Sequence, residues 1–236
     1  MHVTVIIPAY NTQDYIQYAI FSATRQSHKD RDILVVDDGS TDNTAEKAYA
    51  MCGEDVPLSV ISYKENRGLA HALAVGIDYA NGPLLTFLGS DDMLLENSLA
   101  DAEIQFRKNP KLGYAWTNFQ YMNGRRGWSE NTPKGMPLWD ALCVKRWWRG
   151  CAQQFWLKQV YRTMSRGLDE SILYAVDLQL AVVMAETGCD TMFIPSVTYN
   201  YRSPRPGSIS TSSRPRQSAC AQTIIEDSKR INKERG

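Results

Sequence analysis

Short apolar runs alternate with stretches of helical apolar spacing along the first 120 residues, and this alternation constrains the fold more than any other feature. Val3–Ile7, Ile33–Val36, Leu58–Tyr63, Leu84–Leu88 and Leu112–Phe119 read as strands. Between them, Tyr15, Ile16, Ala19, Ile20 and Ala23 mark a helix within residues 13–26. A second helix falls over 42–52, with Thr41 or Asp42 able to cap it. A third carries Leu69, Leu73, Ile77 and Ala80 and stops at Asn81-Gly82. A fourth runs from Leu95 to Lys108. Strand and helix in strict alternation predict an α/β fold with a parallel central sheet covered by helices on both faces.

After residue 120 the rhythm breaks. Residues 123–137 are rich in Asn, Gly, Arg and Pro and read as loop. Trp139, Trp147, Trp148 and Trp156 follow, interleaved with Lys145, Arg146 and Arg149. Buried packing is the ordinary use of such tryptophans, and sugar stacking the sharper one. The segment Lys145–Arg149 has the basic and aromatic character of a peripheral membrane contact. A helix is expected over 175–187, strands at Met192–Ile194 and Val197–Tyr201, a loop or lid over 203–216, and a terminal helix over 219–233.

Bulk properties exclude several classes. Lys and Arg together number 26, as do Asp and Glu, so charge gives no reason to expect a nucleic-acid partner. No apolar run approaches the roughly 20 residues needed to cross a bilayer. Met1 leads directly into a strand pattern, which argues against a secretory signal. The five cysteines are scattered without metal-ligand spacing and fit reduced thiols in a cytoplasmic protein. The three histidines stand apart from any nucleophile-like Ser or Cys, and neither a Walker A string nor GxGxxG is present.

The chemistry concentrates where strands stop. Asp37-Asp38 ends the second strand and Asp91-Asp92 follows the fourth, so both pairs belong to the carboxyl edge of the sheet, where ligands of open α/β sheets bind. A third group comprises Asp169, Glu170 and Asp177. Carboxylates crowd together when something positive offsets their repulsion. Mg²⁺ or Mn²⁺ shared with substrate phosphates suits such oxygens. The bland alternatives are turn capping for Asp37 and Asp38, helix-dipole pairing for Asp91 and Asp92, and helix capping for Asp177.

Taken in order, Ile6-Ile7-Pro8-Ala9-Tyr10-Asn11, Val35-Val36-Asp37-Asp38-Gly39-Ser40-Thr41-Asp42-Asn43-Thr44, Glu65-Asn66-Arg67-Gly68-Leu69, Ala80-Asn81-Gly82 and Leu88-Gly89-Ser90-Asp91-Asp92 resemble the family-2 glycosyltransferases of the GT-A fold. The resemblance is strong over residues 2–120 and weaker over 165–210. It implies one domain with a mainly parallel central sheet flanked by helices. Residues 1–120 would be a Rossmann-like, donor-binding half, 121–218 an acceptor-binding half with the catalytic base, and 219–236 a terminal helix or tail.

The resemblance also implies roles. Pro8, Ala9 and Tyr10 would line a nucleobase pocket, and Asp38 would accept the imide N–H of uracil or its counterpart. Arg67 is a candidate for the base or the diphosphate. Asp91 would hold ribose, and Asp92 would ligate the Mn²⁺ or Mg²⁺ that bridges the diphosphate. Many relatives carry Asp-x-Asp-Asp, whereas Gly89 stands here in place of the first acid. Asp177 falls at the general-base position, with Val176 where an acid usually precedes it. Tyr201-Arg202-Ser203-Pro204-Arg205 resembles a segment that normally contains a His, and Arg202 or Arg205 would replace it as phosphate clamp. The implied activity is metal-dependent, inverting transfer of a sugar from a UDP-sugar to a hydroxyl of a glycan or lipid-linked acceptor, in the cytoplasm or at a membrane surface. Two further readings stay open: a sugar-phosphate nucleotidyltransferase, which should carry a Gly-rich basic loop after the first strand, and a nucleotide-sugar-binding protein without catalysis.

Overall fold

The computed structural model describes residues 1–53, 57–124, 153–164, 167–203 and 214–235. Strand β1 (Val3–Ala9) leads through helix α1 (Ile16–Thr24) to β2 (Arg31–Asp37), α2 (Thr44–Tyr49), β3 (Leu58–Ser62), α3 (Leu69–Tyr79) and β4 (Leu84–Phe87). Then come β5 (Met93–Leu94), α4 (Ser98–Lys108), β6 (Leu112–Tyr121), β7 (Gln154–Leu157), α5 (Lys158–Arg162), α6 (Val176–Glu186), β8 (Asp190–Tyr201) and α7 (Arg214–Arg235). The described strands form one sheet in the order β3-β2-β1-β4-β7-β6-β8-β5. β1 to β4 are mutually parallel, β7 is antiparallel to both β4 and β6, β8 is parallel to β6, and β5 is antiparallel to β8. The expected mainly parallel sheet is therefore present.

The apolar runs explain the layering. β1 and β2 are buried along their whole length, as strands covered on both faces must be. Val3, Val5, Ile7, Ile33 and Val35 pack with Ile16, Ala19 and Ile20 of α1 and with Leu99, Ala102 and Phe106 of α4. The alternate residues Ile6, Leu34 and Val36 pack with Ala70, Leu73 and Ile77 of α3 and with Leu178, Leu180 and Val182 of α6. The period of two along each strand thus feeds two separate cores. Among the described residues no helix is long and apolar enough to cross a membrane.

Two buried cations close the helix ends that point away from the site. Arg31 donates from Nε to the Ala23 carbonyl at 2.9 Å, from Nη1 to that of His28 at 2.6 Å, and from Nη2 to that of Thr24. Lys158 Nζ donates to the carbonyls of Ala80 at 2.6 Å and Asp78 at 3.0 Å, where α3 ends. Each supplies donors to carbonyls that a helix C-terminus leaves without partners, and each opposes the negative end of the helix dipole.

Several boundaries differ from the sequence expectation. β7 was not anticipated: Gln154 begins it directly after Gln153, and polar residues do not announce a central strand. Trp156 sits on β7 with no exposed surface, against Phe87, so it packs in the core and cannot stack on an acceptor sugar. Trp139, Trp147, Trp148 and the segment Lys145–Arg149 lie outside the described residues, as does Arg205. β5 is two residues long, too short to leave a pattern. The two strands expected at 192–194 and 197–201 are one strand, β8, whose pairing with β6 shifts register between Thr117 and Asn118. There Asn118 Nδ2 donates to the Pro195 carbonyl at 3.0 Å and spans the irregularity.

Replacing Lys158 by Met keeps the length of the stem but leaves the Ala80 carbonyl without its charged donor. A loss of about 1–3 kcal/mol in folding free energy is expected from urea unfolding; an unchanged midpoint would contradict the capping role.

Candidate active site

Parallel pairing aligns the strand ends. Ala9 pairs with Asp37 and Asp37 with Ser62, so one residue from each of β1, β2 and β3 stands in a row at the carboxyl edge. Asp37 is buried; its Oδ2 accepts the Ser62 hydroxyl at 2.8 Å, and its Oδ1 is buried without a hydrogen-bond partner. Beyond the row, the Asp38 N–H donates to the Ala9 carbonyl at 2.8 Å. The chain then turns through Gly39 at φ +72°, where a Cβ would stand 2.6 Å from the backbone carbon of Glu65. Only glycine permits that approach.

Asp38 joins this turn to the loop after β3. Its Oδ1 accepts the Arg67 N–H at 2.9 Å and its Oδ2 accepts the Gly68 N–H at 2.7 Å. Asn66 Nδ2 adds a bond to the Asp38 carbonyl at 3.2 Å. Each carboxylate oxygen can accept a second hydrogen bond, so a nucleobase N–H would come as a further partner. The Arg67 side chain is exposed while its backbone serves the turn. Tyr10 is 46% exposed at the end of β1 and leaves a ring surface available.

The hydroxyl-rich string after Gly39 is spent on stitching. Asn11 donates its N–H to Ser40 Oγ at 3.0 Å and accepts the Thr41 N–H at 2.9 Å. Asp42 accepts the N–H groups of Thr44 at 3.0 Å and Gln13 at 3.2 Å. The loops after β1 and β2 thereby form one wall.

The second acidic turn is held from the far end of the chain. Tyr199, buried on β8, donates its hydroxyl to Asp92 Oδ2 at 2.7 Å and accepts the Gly89 N–H at 3.0 Å. The Arg202 N–H donates to Asp92 Oδ1 at 2.6 Å, and Arg202 Nε donates to the Asp91 carbonyl at 2.8 Å. The Arg202 guanidinium lies 4.7 Å over the Tyr15 ring, a cation–π contact. Burial first, and then the neighbouring Asp91 charge, push the Asp92 carboxyl up to about 8. Burial also pushes the Tyr199 phenol well up. Neither Tyr199 nor the backbone of Arg202 was among the sequence candidates; Tyr199 meets Asp92 across 107 residues, and no local spacing signals that pairing.

This acid is suited to a divalent cation. A buried carboxyl that holds its proton near neutrality lacks a compensating positive charge, and a metal would supply one. Among the described residues no group of three or more His, Cys, Asp or Glu could hold a metal ion. The protein would thus offer Asp92, with Asp91 beside it, and donor oxygens would complete the shell, as Mg²⁺ and Mn²⁺ allow.

Asp177 lies in the first turn of α6, after Ala175 at φ 59°. Buried Gln154 Nε2 donates to the Asp177 carbonyl at 3.0 Å, and the Tyr114 hydroxyl holds Gln154 Oε1 at 2.8 Å. Gln154 stands one position beyond the Thr86–Phe155 pair, at the end of β4 from which the Gly89–Asp92 turn emerges. The base candidate and the acidic turn therefore belong to the same edge of the sheet. Nearby, His71 Nδ1 meets Glu170 Oε2 at 2.8 Å and links α3 to the turn that precedes α6.

The raised Asp92 value fixes a pH dependence. Between 3.8 and about 8 the folded chain keeps a proton on Asp92 that the unfolded chain has released. Its contribution to stability is full below that window and lost as pH rises through it. Without divalent cations, wild type should lose stability relative to Asp92→Asn from about pH 5 to about pH 8, by up to about 1.4 kcal/mol per unit. Urea midpoints of the two proteins across that range measure it; parallel curves would contradict a buried, protonated Asp92.

Residues 4–172 match the model of glycosyl transferase family 2. The chain is 32% identical over 120 residues, 51% of its length, to the putative teichuronic acid biosynthesis glycosyltransferase TuaG of Bacillus subtilis. It is 34% identical over 97 residues, 41% of its length, to the glycosyltransferase GlyG of Streptococcus pneumoniae. These segments span 47% of TuaG and 32% of GlyG, less than half of either. Among solved structures, S. aureus TarS 1–349 in complex with UDP matches with a TM-score of 0.74 at 20% identity, covering 97% of this chain and 65% of that one. The mannosyltransferase PcManGT of Pyrobaculum calidifontis, in complex with GDP-Man and Mn²⁺, matches with a TM-score of 0.69 at 21% identity, covering 97% and 64%. These likenesses establish the GT-A architecture that the strand-end motifs led one to expect. With the family model matched over most of its length, the chain belongs to glycosyl transferase family 2.

Proposed function

We propose that the chain transfers a sugar from a nucleotide-diphosphate donor, a UDP-sugar, to a hydroxyl of a glycan or lipid-linked acceptor, with inversion and with a divalent metal. The observation that carries this reading is the common sheet edge. The row Ala9–Asp37–Ser62, the Asp91-Asp92 turn and the first turn of α6 with Asp177 all belong to it. TarS, in its UDP complex, and PcManGT, in its GDP-Man and Mn²⁺ complex, support a nucleotide-sugar donor and a metal.

In this reading residues 1–120 bind the donor and 121–218 bind the acceptor and carry the base, with 219–236 as a terminal helix. Pro8, Ala9 and Tyr10 line the base pocket, and Asp38 takes the base N–H with the acceptor capacity its two amide bonds leave free. Arg67 reaches the base or the diphosphate with an exposed side chain. Asp91 holds ribose. Asp92 holds the metal, whose chemistry is Lewis-acid stabilisation of the departing diphosphate. Arg202 already lies against Asp91 and supplies positive charge beside the diphosphate.

Asp177 takes the acceptor proton as the hydroxyl oxygen attacks the anomeric carbon. The new carbon–oxygen bond forms as the bond to the diphosphate breaks, and its electron pair leaves with the nucleotide. The buried Gln154 fixes the backbone of Asp177, so the carboxylate starts from a rigid helix turn rather than a loop.

Thermal shift with UDP- and GDP-sugars, each with and without Mn²⁺, tests the donor: binding raises the melting temperature by mass action. A UDP-sugar with Mn²⁺ should give the largest rise, and the absence of any rise would refute the reading. Asp177→Asn should lower transfer at least about 100-fold while donor-induced stabilisation persists. Transfer at the wild-type rate would remove Asp177 as the base.

A further inference from the structure

Position 89 carries no side chain, and one placed there would have to push its neighbours aside. A Cβ built on Gly89 would stand 2.8 Å from Asp92 Oδ2, 3.1 Å from Tyr199 Oη and 3.3 Å from Asp91 Oδ1. The space that an acid at this position would enter is already occupied by the Tyr199 hydroxyl and the Asp92 carboxylate. We propose that Tyr199 is the positioning residue for Asp92: its phenol fills the place left by Gly89 and fixes the carboxylate that receives the divalent cation. The inference rests on the reading that Asp92 is a metal ligand.

Toward an ionised Asp92 the phenol has one arrangement: its oxygen accepts the Gly89 N–H at 3.0 Å, and its proton goes to Asp92 Oδ2 at 2.7 Å. The other carboxylate oxygen, Oδ1, is taken by the Arg202 N–H at 2.6 Å. Two donors three residues apart, at the end of β8 and just past it, therefore grip the two oxygens and set the plane of the carboxylate. β5 holds β8 in register for this: Leu94 pairs with Tyr199 and Met93 with Asn200. The strand is only two residues long, yet it joins the acidic turn directly to the residues that grip it.

Once ionised, Asp92 keeps one further acceptor direction on each oxygen. Mg²⁺ and Mn²⁺ impose strict geometry on their ligands, so a carboxylate fixed in plane is a better ligand than one free to rotate. Outer-shell partners of this kind typically set metal affinity by about 10- to 100-fold.

The test uses the full chain and reads binding rather than turnover. Mn²⁺ affinity is measured by electron paramagnetic resonance in the presence of UDP, and UDP affinity is measured separately without metal. Tyr199→Phe should weaken Mn²⁺ binding about tenfold while metal-free UDP affinity stays within about twofold of wild type. Gly89→Ala approaches the same carboxylate from the other side and should give the same selective loss, which keeps the proposal testable if Tyr199→Phe does not fold. Combined, the two changes should cost less than the product of their separate effects, because both act on one carboxylate. Unchanged Mn²⁺ affinity in both single variants overturns the positioning role, and so does an equal loss of metal-free UDP binding, which would mark general damage. Wild-type protein that shows no metal-assisted UDP binding overturns the metal reading and this inference with it.

Discussion

Ala9, Asp37 and Ser62 stand side by side across three parallel strands, and the polar groups at this edge of the sheet are arranged from that row outward. One more rung follows on each side. Asp38 donates its N–H to Ala9, and the Tyr63 N–H donates to the Asp37 carbonyl at 3.0 Å. There the ladder ends and the chain must turn. Asp38 then meets the loop after β3 with both oxygens, and Gly39 gives the backbone room to pass Glu65. A one-residue slip of β2 would exchange the faces of the sheet that its successive side chains, Asp37 included, occupy. The buried cores on both faces prevent it, since Val35 and Val36 belong to different clusters.

Two neighbouring acids therefore live in different surroundings. Asp38 is satisfied by two backbone amides. Asp37 has one oxygen satisfied by Ser62 and one buried without a partner, an arrangement that costs about 1–3 kcal/mol for a polar group shut away from water. Asp92 is buried like both, yet its partners are a phenol and one amide, and its proton stays on near neutrality. Three carboxylates that look alike in sequence are thus a loop fastener, an unsatisfied acceptor and a buried acid that keeps its proton. Environment makes the distinction, through the number and kind of donors around each.

The first 120 residues were legible because parallel strands buried on both faces leave continuous apolar runs, and the helices between them keep a helical period. Val3–Ile7 and Ile33–Val36 could hardly be anything else. The motifs at their ends were legible for the same reason: a run that stops abruptly in Asp-Asp marks a strand end. β7 was not legible, since Gln153 and Gln154 are polar residues inside a sheet whose hydrogen bonds go to β4, β6 and α6. β8 read as two strands because Pro195 and Ser196 interrupt its pattern, although the strand continues through a shift in register. Arg202 was anticipated as a phosphate clamp, but its backbone N–H to Asp92 leaves no trace in a side-chain pattern. Tyr199 read only as part of a strand, because its function is defined by a partner more than a hundred residues earlier.

The reach of the family match sharpens this point. It covers residues 4–172 and so contains the strand-end row, Asp38 and the Gly89–Asp92 turn, but it stops before Asp177, Tyr199 and Arg202. Asp37, Asp38, Asp91 and Asp92 lie inside the matched segment, while the groups that grip Asp92 and the candidate base lie beyond it. Asp92 cannot be understood from residues 1–120 alone: one of its oxygens belongs to Tyr199 and the other to the backbone of Arg202. β8 pairs with β6 along most of its length and with β5 at its end, so it ties the sheet beyond β7 to the acidic turn. Any displacement of β8 relative to β4 would reach Asp92 through two short hydrogen bonds, and would reach Arg202 and its contact with Tyr15 at the same time. The Gly89–Asp92 turn and the end of β8 are therefore coupled through one carboxylate.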